Sequence, residues 1–173
     1  MELALSFTEA LWFFPLALPI CIWVAISDLR AMRIPNVAVL ALAGVFLVIG
    51  LVLVLGLGVW TFETYLWRLA ALAIVLVIGF VITSLGMVGA GDAKFAAAMA
   101  PFIAAGDGLA FLLLFSLVLI GSWITHRAAG RVPAVRRATA GWTSWDQGKL
   151  FPMGVALAGA LAIYLAMGLA AGL

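Results

Sequence analysis

Two aspartates stand apart from every other ionisable residue in this chain. Asp28 lies in Ser27-Asp28-Leu29-Arg30-Ala31-Met32-Arg33-Ile34-Pro35-Asn36, at the end of a long apolar run, and Asp92 lies in Gly89-Ala90-Gly91-Asp92-Ala93-Lys94, at the start of another. A carboxylate at the edge of an apolar helix is costly and points to function. Two carboxylates brought together do not readily both ionise, so such a pair holds one proton near neutral pH. That state suits hydrolysis by water: the ionised partner takes a proton from water, and the protonated one polarises a carbonyl and then donates to the leaving amine. It needs no metal, cofactor or covalent intermediate. The other acids are read as peripheral, Glu2 and Glu9 ahead of the first span and Glu63, Asp107 and Asp146 in loops.

Other chemistries fit less well. His126 is the single histidine, so catalysis by a histidine pair is excluded; it is expected at the surface. The serines form no G-x-S-x-G elbow. Cys21 is alone, which excludes an internal disulfide or a CxxC metal or redox site and leaves a buried apolar role.

The elements that position the aspartates are membrane helices. Of 173 residues, 68% are hydrophobic and 9% charged, with mean hydropathy +1.32; a soluble domain carries about 25% charged residues. A single all-α membrane domain over residues 1–173 is expected. Five segments suit spanning helices, Leu11–Ile26, Val37–Leu57, Leu66–Leu85, Leu109–Thr125 and Phe151–Leu169. A sixth, Ala93–Ala105, rises only about 20 Å, short of a hydrocarbon core of roughly 30 Å.

Charge placement argues that it crosses. With six spans, Arg30, Arg33, Lys94, Arg127, Arg131, Arg136, Arg137 and Lys149 share one side, and Arg68 alone lies on the other with Glu2, Glu9, Glu63 and Asp107. The positive-inside rule then puts both termini outside and Asp28, Asp92 and the basic loop 126–150 in the cytoplasm or its headgroup layer. Trp142 and Trp145 suit an interfacial belt and the loop arginines suit anionic lipid. Glu2 and Glu9 precede the first span where a signal peptide would be basic, so that span is expected to be retained. Nothing suggests nucleic-acid binding, and the oligomeric state stays open.

Each aspartate also has a plain structural reading. Asp28 suits a helix-end ion pair with Arg30 or Arg33, with Pro35 ending the helix near Ile34 and Asn36 capping the next. Asp92 suits an N-cap of its helix, with Gly86, Gly89 and Gly91 allowing a sharp bend and close approach of a substrate backbone.

In three places the chain resembles the type IV prepilin peptidases, membrane aspartyl proteases with a GxGD signature. Asp28 followed by Arg33-Ile34-Pro35-Asn36 is similar to the family's first aspartate motif, Gly89-Ala90-Gly91-Asp92-Ala93-Lys94 to its G-x-G-D-x-K, and Pro152-Met153-Gly154 to a P-x-G element before the last span, with Val155 where a proline is usual. The resemblance implies that Asp28 and Asp92 are catalytic, that Gly89, Gly91, Lys94, Arg33, Pro35, Asn36, Pro152 and Gly154 support them, and that the substrate is a prepilin or pseudopilin cut at the cytoplasmic border before its hydrophobic helix. Ten residues precede the first span and no CxxC is present, so the chain looks like the short, peptidase-only form of tight-adherence (Flp-type) systems, and N-methylation of the product is not expected. Against this stand a small proton-coupled transporter or channel with the aspartates as a relay, a membrane scaffold of a secretion assembly, and a presenilin-like protease, whose first aspartate would follow a tyrosine rather than Ser27.

Overall fold

The computed structural model describes residues 3–148 and 150–172, so the expectations resting on Glu2 and Lys149 lie outside the described residues. Among the described residues seven helices follow one another: α1 (Phe7–Ala31), α2 (Asn36–Leu51, extended by a π turn over Val52–Gly56), α3 (Phe62–Ser84), α4 (Ala90–Met99), α5 (Gly108–Ala129), α6 (Pro133–Ala138) and α7 (Met153–Ala170). Short 3-10 turns lie at Ala100–Phe102, Ala105–Asp107 and Thr143–Trp145. Five helices are long and apolar enough to cross a membrane: α1, α2 with its π turn, α3, α5 with the turn before it, and α7.

All the expected apolar segments are helical, with two corrections. The sixth segment is a ten-residue helix that starts earlier than expected, at Ala90, and stops at Met99. Pro101 is the reason, because proline has no N–H for a helix interior; the chain tightens there into a 3-10 turn. At the other correction, α1 begins at Phe7 rather than Leu11 and takes Glu9 with it. Ser6 and Glu9 form a capping box, in which the Ser6 side chain accepts from the Glu9 N–H and the Glu9 carboxylate accepts from the Ser6 N–H.

α7 is the central helix, packed mainly against α1 and then α5. Its small residues, Ala156, Ala158 and Ala160 among them, are buried and let the neighbouring backbones approach. The core beside it is aromatic. Phe13 of α1 meets Phe102 edge-on at 4.9 Å between ring centres, and Phe46 of α2 stacks on Tyr65 of α3 at 5.8 Å. Cys21 is buried, as expected of a small apolar residue.

Two of the acids read as peripheral, Glu9 and Asp107, are buried, while Glu63 and Asp146 are exposed as expected. Glu9 is 3% exposed, accepts a hydrogen bond from Trp60 Nε1 and forms an ion pair with Arg68, which is itself buried and donates to the Pro101 and Phe102 carbonyls. Asp107, also 3% exposed, accepts from the Ala4 and Leu5 N–H groups and from the Tyr164 hydroxyl. Arg68, counted from sequence as the one cation on the opposite side, is therefore a core residue. Together these groups tie α1, α3, α7 and the turns after α4 at one end of the bundle. Along α1 that end lies about 28 Å from Asp28, at 1.5 Å per residue.

Candidate active site

Asp28 occupies the last turn of α1. The helix stops one turn later because Met32 takes a left-handed conformation (φ 50°), from which its N–H donates to the Asp28 carbonyl. Arg33 to Pro35 lie outside any helix, and Pro35, in an extended conformation, holds the N-cap position of α2 without a side-chain cap bond. Asn36 is thus the first residue of α2 and not its cap. Its amide oxygen accepts instead from Lys94 Nζ of α4, at 3.4 Å. Ser27 Oγ donates to the Arg33 carbonyl at 2.9 Å and braces the bend.

That bend turns Ile34 inward, where it is 9% exposed. Ile34 is wedged between two glycines. A Cβ on Gly91 of α4 would lie 3.4 Å from Ile34 Cβ, and one on Gly154 of α7 would lie 3.0 Å from Ile34 Cδ1. The Arg-Ile-Pro-Asn string therefore joins the three helix ends around Asp28.

Asp28 is 5% exposed, and its Oδ2 accepts a hydrogen bond from the Gly154 N–H at 2.7 Å. Gly154 is the second residue of α7, so this donor belongs to a helix N-terminus, where N–H groups lack helical acceptors. A side chain at Gly154 would put its Cβ 2.9 Å from Asp28 Oδ2. The Pro-Met-Gly sequence that opens α7 thus touches the aspartate directly. The pair with Arg30 or Arg33 that the plain structural reading would require does not form among the described residues. Among the described residues the ion pairs are Glu9 with Arg68 and Arg136 with Asp146.

Asp92 comes from α4. α3 ends at Ser84, and the chain reverses at Gly86, whose φ of +72° few side chains adopt. Gly89 is the N-cap of α4, so Asp92 stands in the first turn, three residues in, and is not the N-cap residue. Gly89 is needed beside it, since a Cβ there would lie 2.8 Å from Asp92 Oδ2. A carboxylate in this turn faces the positive end of the helix dipole.

Asp28 and Asp92, far apart in sequence, line one cleft of ≈ 310 Å³ together with Met32, Arg33, Ile34, Asn36, Gly89, Ala90, Gly91 and Lys94. Of the motif residues expected around the two aspartates, Arg33, Asn36, Gly89, Gly91 and Lys94 are in this wall and Gly154 bonds Asp28, while Pro35 and Pro152 hold the N-cap positions of α2 and α7. None of the described residues of the basic loop lines the cleft. α5 continues to Ala129, a turn past His126, and the residues that follow form α6 and the Thr143–Trp145 turn, which packs against α1. His126 is half-buried rather than a surface residue: its ring stacks on Trp145 with centres 4.4 Å apart and meets Phe151 edge-on. Trp142 stacks on Trp145 in turn, so these tryptophans anchor the loop to the bundle.

Five apolar helices, with a cleft lined by two carboxylates at one end of α1, α2 and α4, define a multi-pass membrane protein with a polar site at one end of its bundle. Residues 16–125, which include both aspartates and their flanking strings, match the type IV leader peptidase family. The chain belongs to that family, and its activity is that of a peptidase. No curated protein and no solved structure matches it.

Proposed function

We propose that Asp28 and Asp92 are the catalytic pair of an aspartyl endopeptidase that removes the leader of a type IV prepilin or pseudopilin at the cytoplasmic face of the inner membrane. The observation that carries this reading is that the two carboxylates, from different helices, line one cleft and, among the described residues, neither is committed to an ion pair. A buried Asp28 with a single backbone donor keeps acceptor capacity for water or substrate.

Two carboxylates in one cleft oppose each other's ionisation and hold one proton between them. Water adds across the scissile bond. Its oxygen goes to the carbonyl carbon, one proton passes to the ionised aspartate, and the proton on the other aspartate goes to the leaving amine. The Gly154 N–H keeps Asp28 oriented throughout, which is the positioning on which such geometry depends. Arg33, Asn36 and Lys94 make the same cleft hospitable to a polar segment of substrate.

The six-span, both-termini-outside arrangement is part of the proposal. Seven cations, Arg30, Arg33, Lys94, Arg127, Arg131, Arg136 and Arg137, belong to linkers or helix ends on the Asp28 side of the chain's path. The burial of Arg68 removes the one cation expected opposite them and sharpens the bias. α4 supports a crossing although it is short, because Asp92 at its start faces the Asp28 cleft while Pro101 and Phe102 beyond its end meet Arg68. Residues 1–173 then act as one membrane domain, with the loop over 130–148 as a basic cytoplasmic surface against anionic headgroups.

Co-expression with a pilin-like precursor tests the pair. Asp28→Asn and Asp92→Asn should each abolish conversion of precursor to mature form while the enzyme still inserts. Processing that survives either change removes that residue from the mechanism.

A further inference from the structure

Asp92 borders two clefts. One is the polar cleft shared with Asp28. The other, of ≈ 210 Å³, lies between α3, α4, α5 and α7, and among the described residues Asp92 is the only ionisable one in its wall. Val75, Ile78, Gly79 and Ile82 contribute to it from one face of α3, at the spacing that aligns residues along a helix. Ala96 and Phe115 lie across from them.

This second cleft is open sideways. α3 rests on α4, with Gly79 so close that a Cβ there would lie 3.0 Å from Ala93 Cβ, and α5 rests on α7. α3 and α5 themselves scarcely touch. They are also the least covered of the long helices, each with 6% of its apolar stretch buried against 50% for α7. Ile78, 51% exposed, stands at the mouth. In a membrane this gap faces lipid.

We propose that the gap between α3 and α5 docks the apolar helix of the substrate, which inserts side chains into the cleft while the polar segment before it lies along the Asp28–Asp92 cleft. The inference rests on the aspartyl peptidase reading and adds the surface that selects the substrate. The argument is continuity. A peptide bond at the junction of a polar segment and an apolar helix must sit where water-like and lipid-like surroundings meet, and Asp92 is the residue that both clefts share. An apolar helix reaches it through this gap without leaving the hydrocarbon. A cleft of this size takes side chains rather than a helix body, so the helix lies in the gap itself. Helices associate in lipid through close packing rather than through a hydrophobic driving force, and Gly79, Ala93 and Ala96 permit close approach. A lipid acyl chain would also fill the cleft, but nothing in an acyl chain directs a peptide bond to Asp92.

The test compares two substrates: a full precursor, and a soluble peptide spanning the same bond but lacking the apolar helix. Ala96→Phe and Ile78→Trp fill or block the cleft, and Leu40→Trp, on the exposed face of α2, is the control. Ala96→Phe and Ile78→Trp should each raise KM for the full precursor about tenfold, the scale of one packing contact, with kcat/KM for the peptide unchanged; Leu40→Trp should alter neither. Equal losses on both substrates, or none on the precursor, would overturn the proposal. A photo-crosslinker placed in the substrate's apolar helix supplies an independent reading on the unsubstituted enzyme. Adducts should map to residues 75–82 of α3 or to Phe115 of α5; adducts on α2, or protection of these sites by lipid alone, would overturn it. The crosslink is read whether or not turnover occurs. Absence of cleavage by the unsubstituted enzyme would therefore count against the catalytic pair, while the adduct map still decides the docking surface.

Discussion

Gly154 shows how much of this site hangs on a single missing side chain. Its N–H holds Asp28, and any Cβ at that position would press on both Asp28 Oδ2 and Ile34 Cδ1. Gly154→Ala should leave a folded, inserted protein whose kcat on precursor falls by a factor on the order of 10 to 100, since displacement by about 1 Å can cost that much. Initial rates normalised to protein in the membrane would check it, and an unaltered kcat would mean that the Asp28 position is not set by α7. Asp28 and Asp92 are legible in the sequence because no other acids stand in such strings at the edges of apolar helices. Their glycine neighbours are legible too, but only as a motif; that Gly154 bonds Asp28 is a tertiary fact. Glu9 and Asp107 are illegible for the same reason. A capping-box pattern at Ser6 and Glu9 was there to read, yet nothing local announces that Arg68 and Tyr164 will come to meet these acids. Burial was supplied by partners more than fifty residues away.

Among the elements, α4 departs furthest from its sequence pattern. The apolar run from Ala93 to Ala105 reads as one short helix, whereas Pro101 divides it, and the freed carbonyls of Pro101 and Phe102 are taken up by Arg68. Arg68 therefore serves two purposes, neutralising Glu9 and satisfying the carbonyls of the turn that follows α4. This far end of the bundle should matter for stability and not for chemistry. Arg68→Met leaves Glu9 charged and buried, a change that typically costs about 3–5 kcal/mol, and it also orphans two carbonyls. The variant should melt markedly lower in detergent. The double change Glu9→Leu/Arg68→Met should recover part of the loss, since no buried charge is then unpaired, though Trp60 Nε1 loses its acceptor and the carbonyls stay open. For all of these, kcat per folded molecule should stay near that of the parent, because the network lies about 28 Å from Asp28 along α1. A fall in kcat without a fall in melting temperature would contradict this separation of a structural end from a catalytic end.

At the scale of the whole molecule, the number and order of apolar helices are legible from hydropathy alone, because each run must satisfy its own backbone in lipid. Which helices pack together is not: α1 meets α7 across the full length of the chain, and the small residues that permit it look like those of any membrane helix. Orientation rests on charge, and α4 is the point at which it is decided. If α4 crosses, α5 starts outside and ends inside; if it does not, every element after it is inverted, and the arginines at 127, 131, 136 and 137 face out. Cysteine labelling distinguishes the two. In a Cys21→Ala background, Val59→Cys before α3 and Leu109→Cys at the start of α5 should react with a membrane-impermeant maleimide on spheroplasts, while Arg131→Cys should react only after permeabilisation. Val59 is 42% exposed and Leu109 73%, so protection there would reflect the side of the membrane and not burial. Reaction at Arg131→Cys with protection at Leu109→Cys would mean that α4 turns back. Asp92 and Asp28 would still share a cleft, but the positive-inside argument would no longer put the site in the cytoplasm.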